Sequence, residues 1–291
     1  MDVIITEFLQ AMYEQGIVPT TNILANGEIQ RFHIEGDTAN KANGWAVIHP
    51  GPFPSGVFGN WKTGVKYQWQ LKTPVTPGER REHKKVMREL YRTQDAERSK
   101  RYAEAAEKAR SLINASEPAD PCHPYLVSKK ILPHGIYQQE NTLLIPLFDG
   151  IALSSVQAIY ADGSKQFLAG GKTKGCHFRM GEWSNKILIC EGYATGATLR
   201  QSHAITVIVA FTASNLVTVA QAVRYERFTA EITIVADNDQ WTDGNPGLTK
   251  ARQAAAITRA KVLYPDFTGM DTSSHPTDSV SYTHLTLPTT S

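Results

Sequence analysis

At 291 residues the chain has length for about two domains, each able to bury a core. A formal net charge of +2 does not announce a nucleic-acid surface by composition, so any basic surface must come from local clustering. Cys122, Cys176 and Cys190 form no Cys-x-x-Cys pair, which argues against a zinc ribbon and a disulfide framework; with no signal peptide or membrane-length apolar run, a soluble, cytoplasmic protein is expected.

Residues 2–15 carry Ile5, Phe8, Leu9 and Met12 at helical spacing, which predicts a short amphipathic helix. Three short strands follow, at 30–34, 44–49 and 56–61, divided by Gly, Pro and Asn turns. This small region ends near Lys72, before the Pro-rich stretch 73–78. Trp45, Phe58, Trp61, Tyr67 and Trp69 suit either base stacking on a single strand or the core of a small domain. His33 and His49 lack metal-ligand partners nearby and read as ordinary strand histidines. Residues 79–116 are dense in charge and poor in large apolar side chains, and predict one or two solvated helices. Their basic members, Arg80 to Arg101, could steer a phosphate backbone or simply face water.

Residues 118–124 break the helix, and strands are expected at 142–147 and 155–160. The segment 165–175 reads as a basic glycine-rich loop carrying Lys165, Lys172 and Lys174. Gly171-Lys172-Thr173 imitates the end of a P-loop, but the pattern requires glycine where Gln166 stands. The loop either approaches phosphates or is a hairpin with solvated lysines.

Three buried-strand runs follow: 187–190, 204–211 and 231–236. Runs without polar alternation mark strands buried on both faces of a parallel sheet. Helix-like segments separate them, so right-handed crossovers bring all three carboxyl ends to one edge. The first run ends in Glu191-Gly192 and the third in Asp237-Asn238-Asp239. Gly192 permits a sharp turn or a close approach to a ligand at the crevice where open sheets bind. Converging Glu191, Asp237 and Asp239 carboxylates call for a divalent cation, and hard oxygen donors suit magnesium or manganese. An alanine-rich helix is expected at 248–260, with Lys250 and Arg252 facing phosphates or solvent.

The blocks Ile189-Cys190-Glu191-Gly192-Tyr193-Ala194-Thr195-Gly196, Val209 to Leu216 and Val235-Ala236-Asp237-Asn238-Asp239, with Asn245-Pro246-Gly247 downstream, resemble the Toprim domain of bacterial-type primases, topoisomerases and some nucleases. The likeness runs back to about His123 and is nearest to primases of phages, plasmids and integrative elements. It implies an α/β fold: a Toprim-like parallel-sheet catalytic core, a small β-rich N-terminal domain and a charged helical linker. The expected division is 1–72 as an N-terminal α+β domain without zinc ligands and 73–117 as linker. Residues 118–185 form the basic part of the core, 186–270 the Toprim domain, and 271–291 a truncated end. Related primases hold a zinc-binding domain at the N-terminal position, and they carry a basic motif where Lys165, Lys172 and Lys174 stand. His275-Pro276-Thr277-Asp278 resembles the start of a further acidic motif, but 281–288 look cloning-derived, so a longer natural protein is expected.

The resemblance implies a DNA primase, a nucleotidyltransferase using Mg2+ or Mn2+ at Glu191, Asp237 and Asp239. Lys165, Lys172, Lys174, Gly192 and Lys250 would bind nucleotide or nucleic acid. The partners implied are a single-stranded DNA template, nucleoside triphosphates and a replicative helicase in cis or in trans, with no membrane. The same acids also suit a Toprim nuclease, and an idle fold used only for binding is a third reading. The roles of Asp243, Asp271 and Asp278 stay open.

Overall fold

The computed structural model describes residues 2–37, 41–238, 241–242 and 244–265. The expected acids Asp239, Asp243, Asp271 and Asp278 lie outside these described residues, as does the tail. The chain divides into two compact units, Met1–Glu97 and Arg98–Ser291.

The first unit opens with α1 (Asp2–Glu14) and continues through β1 (Gln30–Phe32), β2 (Gly44–His49), β3 (Ser55–Asn60) and β4 (Val65–Gln70). The strands form one antiparallel meander in the order β1-β2-β3-β4. Phe8 and Met12 of α1 are fully buried against Phe32, Ala46, Ile48 and Phe58. Burial of each such side chain contributes roughly 1.5–3 kcal/mol. Tyr67 and Trp69 pack against the same cluster from β4, a strand that the sequence reading did not separate from its turn. Phe58, Tyr67 and Trp69 are therefore core, while Trp45 and Trp61 stay outside it. Within the described part of α2 (Pro77–Asn114) the charged segment is one continuous helix rather than two. It starts on a capping box: Thr76 Oγ1 accepts from the Glu79 amide at 3.2 Å, and the Glu79 carboxylate accepts from the Thr76 amide at 3.0 Å. The bond from the Thr76 backbone, helped by Lys72, draws the Glu79 pKa down to about 2.

In the second unit come β5 (Glu117–Pro118), α3 (Pro124–Lys129), β6 (Tyr137–Gln139), β7 (Thr142–Asp149), β8 (Ala152–Tyr160) and β9 (Lys165–Phe167). These five strands form an antiparallel sheet in chain order. Lys165 thus sits on a strand paired with β8, not in the loop that the sequence suggested. Then follow β10 (Phe178–Met180), β11 (Lys186–Cys190), α4 (Tyr193–Ser202), β12 (Thr206–Val209), α5 (Ala213–Glu226), β13 (Glu231–Val235), α6 (Pro246–Thr258) and β14 (Lys261–Leu263). Their sheet runs β10-β12-β11-β13-β14. Strands β11, β12, β13 and β14 are parallel, and β10 joins the edge antiparallel to β12.

Both faces of this sheet are covered, which explains its largely apolar runs. Leu188, Cys190, Val207, Val209 and Val235 face one core with Tyr193, Ala197 and Leu199 of α4 and Leu143, Ile145 and Leu147 of β7. Ile187, Ile189, Ile208, Ile232 and Ile234 face the other, against Leu216, Val219 and Val223 of α5 and Ala251 and Ala254 of α6. The strand over 204–211 is shorter than expected because Phe211 turns out at φ 70°, and α6 begins at Pro246 and ends before the left-handed Arg259.

Gly196 sets the distance between α4 and the sheet. A Cβ there would lie 2.7 Å from Val209 Cγ2, 3.2 Å from Cys190 Sγ and 3.3 Å from Met180 Cε. Overpacking of this kind costs about 1–3 kcal/mol, more than the ~1 kcal/mol of helix propensity that alanine returns. Gly196→Ala should therefore lower Tm by a few degrees in a thermal melt; an unchanged or raised Tm would show that α4 is free to lift off the sheet.

Candidate functional site at the carboxyl edge of the parallel sheet

The register fixes the geometry. Cys190, the last residue of β11, is paired with Val209 on one side and Val235 on the other. Glu191 is the next residue after β11, and Asp237 is two residues past Val235, so both acids leave adjacent strands at the same edge. The peptide groups confirm the closeness of the β11 and β12 ends: Ala210 N–H donates to Cys190 O and Phe211 N–H to Glu191 O, each at 2.8 Å. Glu191 and Asp237 are half-buried. Burial first, and then the negative charges of Asp237 and Glu191, push the Cys190 thiol well above its ordinary range.

Gly192 is the N-cap of α4 in extended conformation, so Glu191-Gly192 forms the step from strand into helix. Asn238, next to Asp237, is buried; its Nδ2 donates to Pro265 O at 2.9 Å, and its Oδ1 accepts from Asn245 Nδ2 at 2.8 Å. That pair fastens the backbone beside Asp237 to the start of α6. Lys250, on the second turn of α6, is half-buried and donates to Gln253 at 3.1 Å, along its own helix.

The basic loop reaches the same edge by topology. Because β10 runs antiparallel to β12, with Phe178 opposite Val209, the segment entering β10 arrives where β12 ends. Asn215 clamps it there. This side chain on α5 is 6 % exposed; its Nδ2 donates to Thr173 O (3.2 Å), Cys176 O (2.9 Å) and Ala210 O (2.9 Å), and its Oδ1 accepts from Gly175 N–H at 2.7 Å. Gly175 has φ 79°, a conformation that favours glycine. Lys174 is exposed on this loop, whereas Lys172 is half-buried and ion-paired with Asp149. Lys165 is exposed on β9, a separate element from the clamped loop. Asn215 and Asn238 stand inside the blocks that carry the resemblance, but the sequence reading assigned neither a role, because hydrogen bonds to backbone groups distant in the chain leave no periodic signal.

A hard cation fits the chemistry of this edge, since Glu191 and Asp237 leave adjacent strands there and carboxylate oxygens are the donors such an ion prefers. Among the described residues no group of three His, Cys, Asp or Glu side chains is gathered as a metal cluster. No described helix is long and apolar enough to cross a membrane. The three cysteines are free, with Cys122 exposed and Cys176 and Cys190 buried.

The clamp has a testable consequence. Asn215→Asp keeps the acceptor for Gly175 but sets oxygen against three carbonyl groups, so the loop should loosen. A thiol reagent should modify only Cys122 quickly in the native wild type, and Cys176 as well in the variant. Continued protection of Cys176 would show that other contacts hold the loop.

Residues 185–264 match the Toprim domain family. Over 90% of its length the chain is 29% identical to a DNA primase TraC of Escherichia coli, of which it covers 26%. A second DNA primase TraC of Escherichia coli is 28% identical over 90% of the chain, which covers 19% of it. The chain thus spans about a quarter or less of these relatives. A solved structure of the DnaG primase catalytic domain bound to ssDNA aligns over 58% of this chain and 71% of its own, with a TM-score of 0.39 and 11% identity. The chain carries a Toprim domain on an α/β fold and resembles DNA primases of the bacterial type.

Proposed function

We propose that the chain is the primase part of a mobile-element replication protein, synthesising short primers on single-stranded DNA from nucleoside triphosphates. The observation that supports this reading is that the strands preceding Glu191 and Asp237 end at the same sheet edge as the Asn215-clamped basic loop. Acids alone would suit hydrolysis equally; a lysine-bearing loop beside them suits the handling of triphosphate and a growing strand.

Glu191, Asp237 and, by the resemblance, Asp239 would hold Mg2+ or Mn2+. When bound, the ions would neutralise charge on the transferring phosphoryl group. Lys174 faces solvent and is placed to attract phosphate by long-range charge, while Lys172 would have to exchange Asp149 for a phosphate. Gly192, without a Cβ, leaves the peptide before α4 open to a close approach. Lys165 and Lys250 contribute positive charge from β9 and α6. In a second role Glu191 would take the proton of the attacking hydroxyl as general base. The division at 72, 117 and 185 would separate strand capture, a helical connection, a basic platform and the acid-bearing domain. A cytoplasmic location and a helicase partner in cis or in trans complete the proposal.

The experiment is a primer-synthesis reaction with single-stranded DNA, nucleoside triphosphates and magnesium or manganese. The wild type should form short products. Glu191→Gln and Asp237→Asn, which keep shape and remove charge, should each abolish synthesis while strand affinity holds or rises. Wild-type synthesis by either variant at saturating metal would remove that residue from the catalytic set. Cutting of the strand without synthesis, lost in Asp237→Asn, would assign the same site to a nuclease.

A further inference from the structure

Outside the acid-bearing edge, the N-terminal sheet presents a surface that the reading above does not use. Cross-strand pairing places Arg31 opposite Trp45, Trp45 opposite Gly59, and Gly59 opposite Lys66. Directly paired residues share a face, so these four make one row across all four strands. The neighbouring residues Phe32, Ala46 and Phe58 are buried on the opposite face with Phe8 and Met12, so the row lies on the outer face.

A missing side chain shapes it. A Cβ at Gly59 would come within 2.9 Å of Trp45 Cε2 and Cζ2, so the missing side chain lets the indole lie down on the strand. Trp61, at the tip of the β3–β4 hairpin, then packs on Trp45 with ring centroids 5.4 Å apart and planes 34° apart. The hairpin tip is fixed: Trp61 N–H donates to Asn43 O at 2.8 Å, and Lys62 N–H to Asn60 Oδ1 at 2.8 Å. Yet the Trp61 side of the pair is open, with the residue 57% exposed. This indole is thus held in place and left facing solvent, whereas Trp69 of the same hairpin joins the core beneath.

The charge on the strands themselves has one sign. The four strands contain Arg31 and Lys66, both exposed, and no aspartate or glutamate. The nearby Asp37 is taken up by Lys62 at 2.7 Å. An ordered aromatic pair flanked by cations and free of carboxylates within the strands is complementary to a flexible polyanion whose bases can be splayed. Duplex DNA, with its bases stacked inside, offers the indoles nothing to stack against.

We propose that Trp61 and Trp45, flanked by Arg31 and Lys66, form a stacking platform for single-stranded DNA on the N-terminal unit. The identity of the strand rests on the proposed action on single-stranded template; the platform itself is read out by binding alone. Arg31 and Lys66 meet phosphates at either side of the row, and one or two bases stack on the exposed indole.

The test uses the full chain, a fluorescent single-stranded oligothymidylate and its duplex form, without nucleotides or metal. Trp61→Ala should weaken single-strand binding roughly tenfold, Trp61→Tyr should restore most of it, and Lys66→Ala should reduce the slope of log affinity against log salt by about one. Wild-type affinity in Trp61→Ala, failure of wild type to bind at low salt, or equal affinity for the duplex would each overturn the platform. The two proposals fail separately. A Trp61→Ala variant that binds and primes like wild type sinks the platform alone, and Trp61-dependent binding by a wild type that makes no primers sinks the primase reading alone.

Discussion

The parallel pairing of β11 between β12 and β13 is the constraint on which the rest depends. A parallel strand pair cannot be closed by a hairpin, so the chain must cross over through α4 and α5 before each new strand. All three strands then end together, and whatever the sequence places after them is delivered to one edge. Glu191 and Asp237 arrive there by connectivity, not by local attraction; like charges would otherwise drift apart. The register that pairs Cys190 with both Val209 and Val235 is what draws this edge together.

The second element of the site is brought by an antiparallel strand. If β10 had joined the sheet parallel to β12, the segment entering it would lie at the opposite edge, away from the acids. The reversed direction brings the loop to the same sheet edge as Glu191, where Asn215 ties it to Ala210. Asn215 fixes that placement by using its amide fully, three carbonyl contacts and one amide contact spanning Thr173 to Ala210. A buried amide so completely engaged is costly to replace, because any substitute leaves several backbone groups unsatisfied.

The parallel sheet was legible in the sequence because double-sided burial writes largely apolar runs, and Glu191 and Asp237 stood at the ends of two of them. The start and end of α1 and of β2 were also legible, from helical spacing and from alternation between glycine turns. What escaped depends on contacts distant in sequence. Three-residue strands such as β9, β10 and β14 carry too little pattern to be read, so Lys165 was assigned to a loop. The aromatic residues of the N-terminal unit were open between core and surface; cross-strand register, invisible in composition, sends Phe58 inward and leaves Trp45 and Trp61 outside. Lys172 looked like a free cation until Asp149, more than twenty residues earlier, proved to be its partner.

The central claim is that the shared edge of β11 and β13 is a divalent-cation site. Titration of Mn2+ into the metal-free chain, followed by the loss of its free-ion paramagnetic resonance signal, tests this without any reaction. The account predicts saturable binding by the wild type that is strongly weakened in both Glu191→Gln and Asp237→Asn, with the fold intact. Equal Mn2+ binding by wild type and both variants would contradict it.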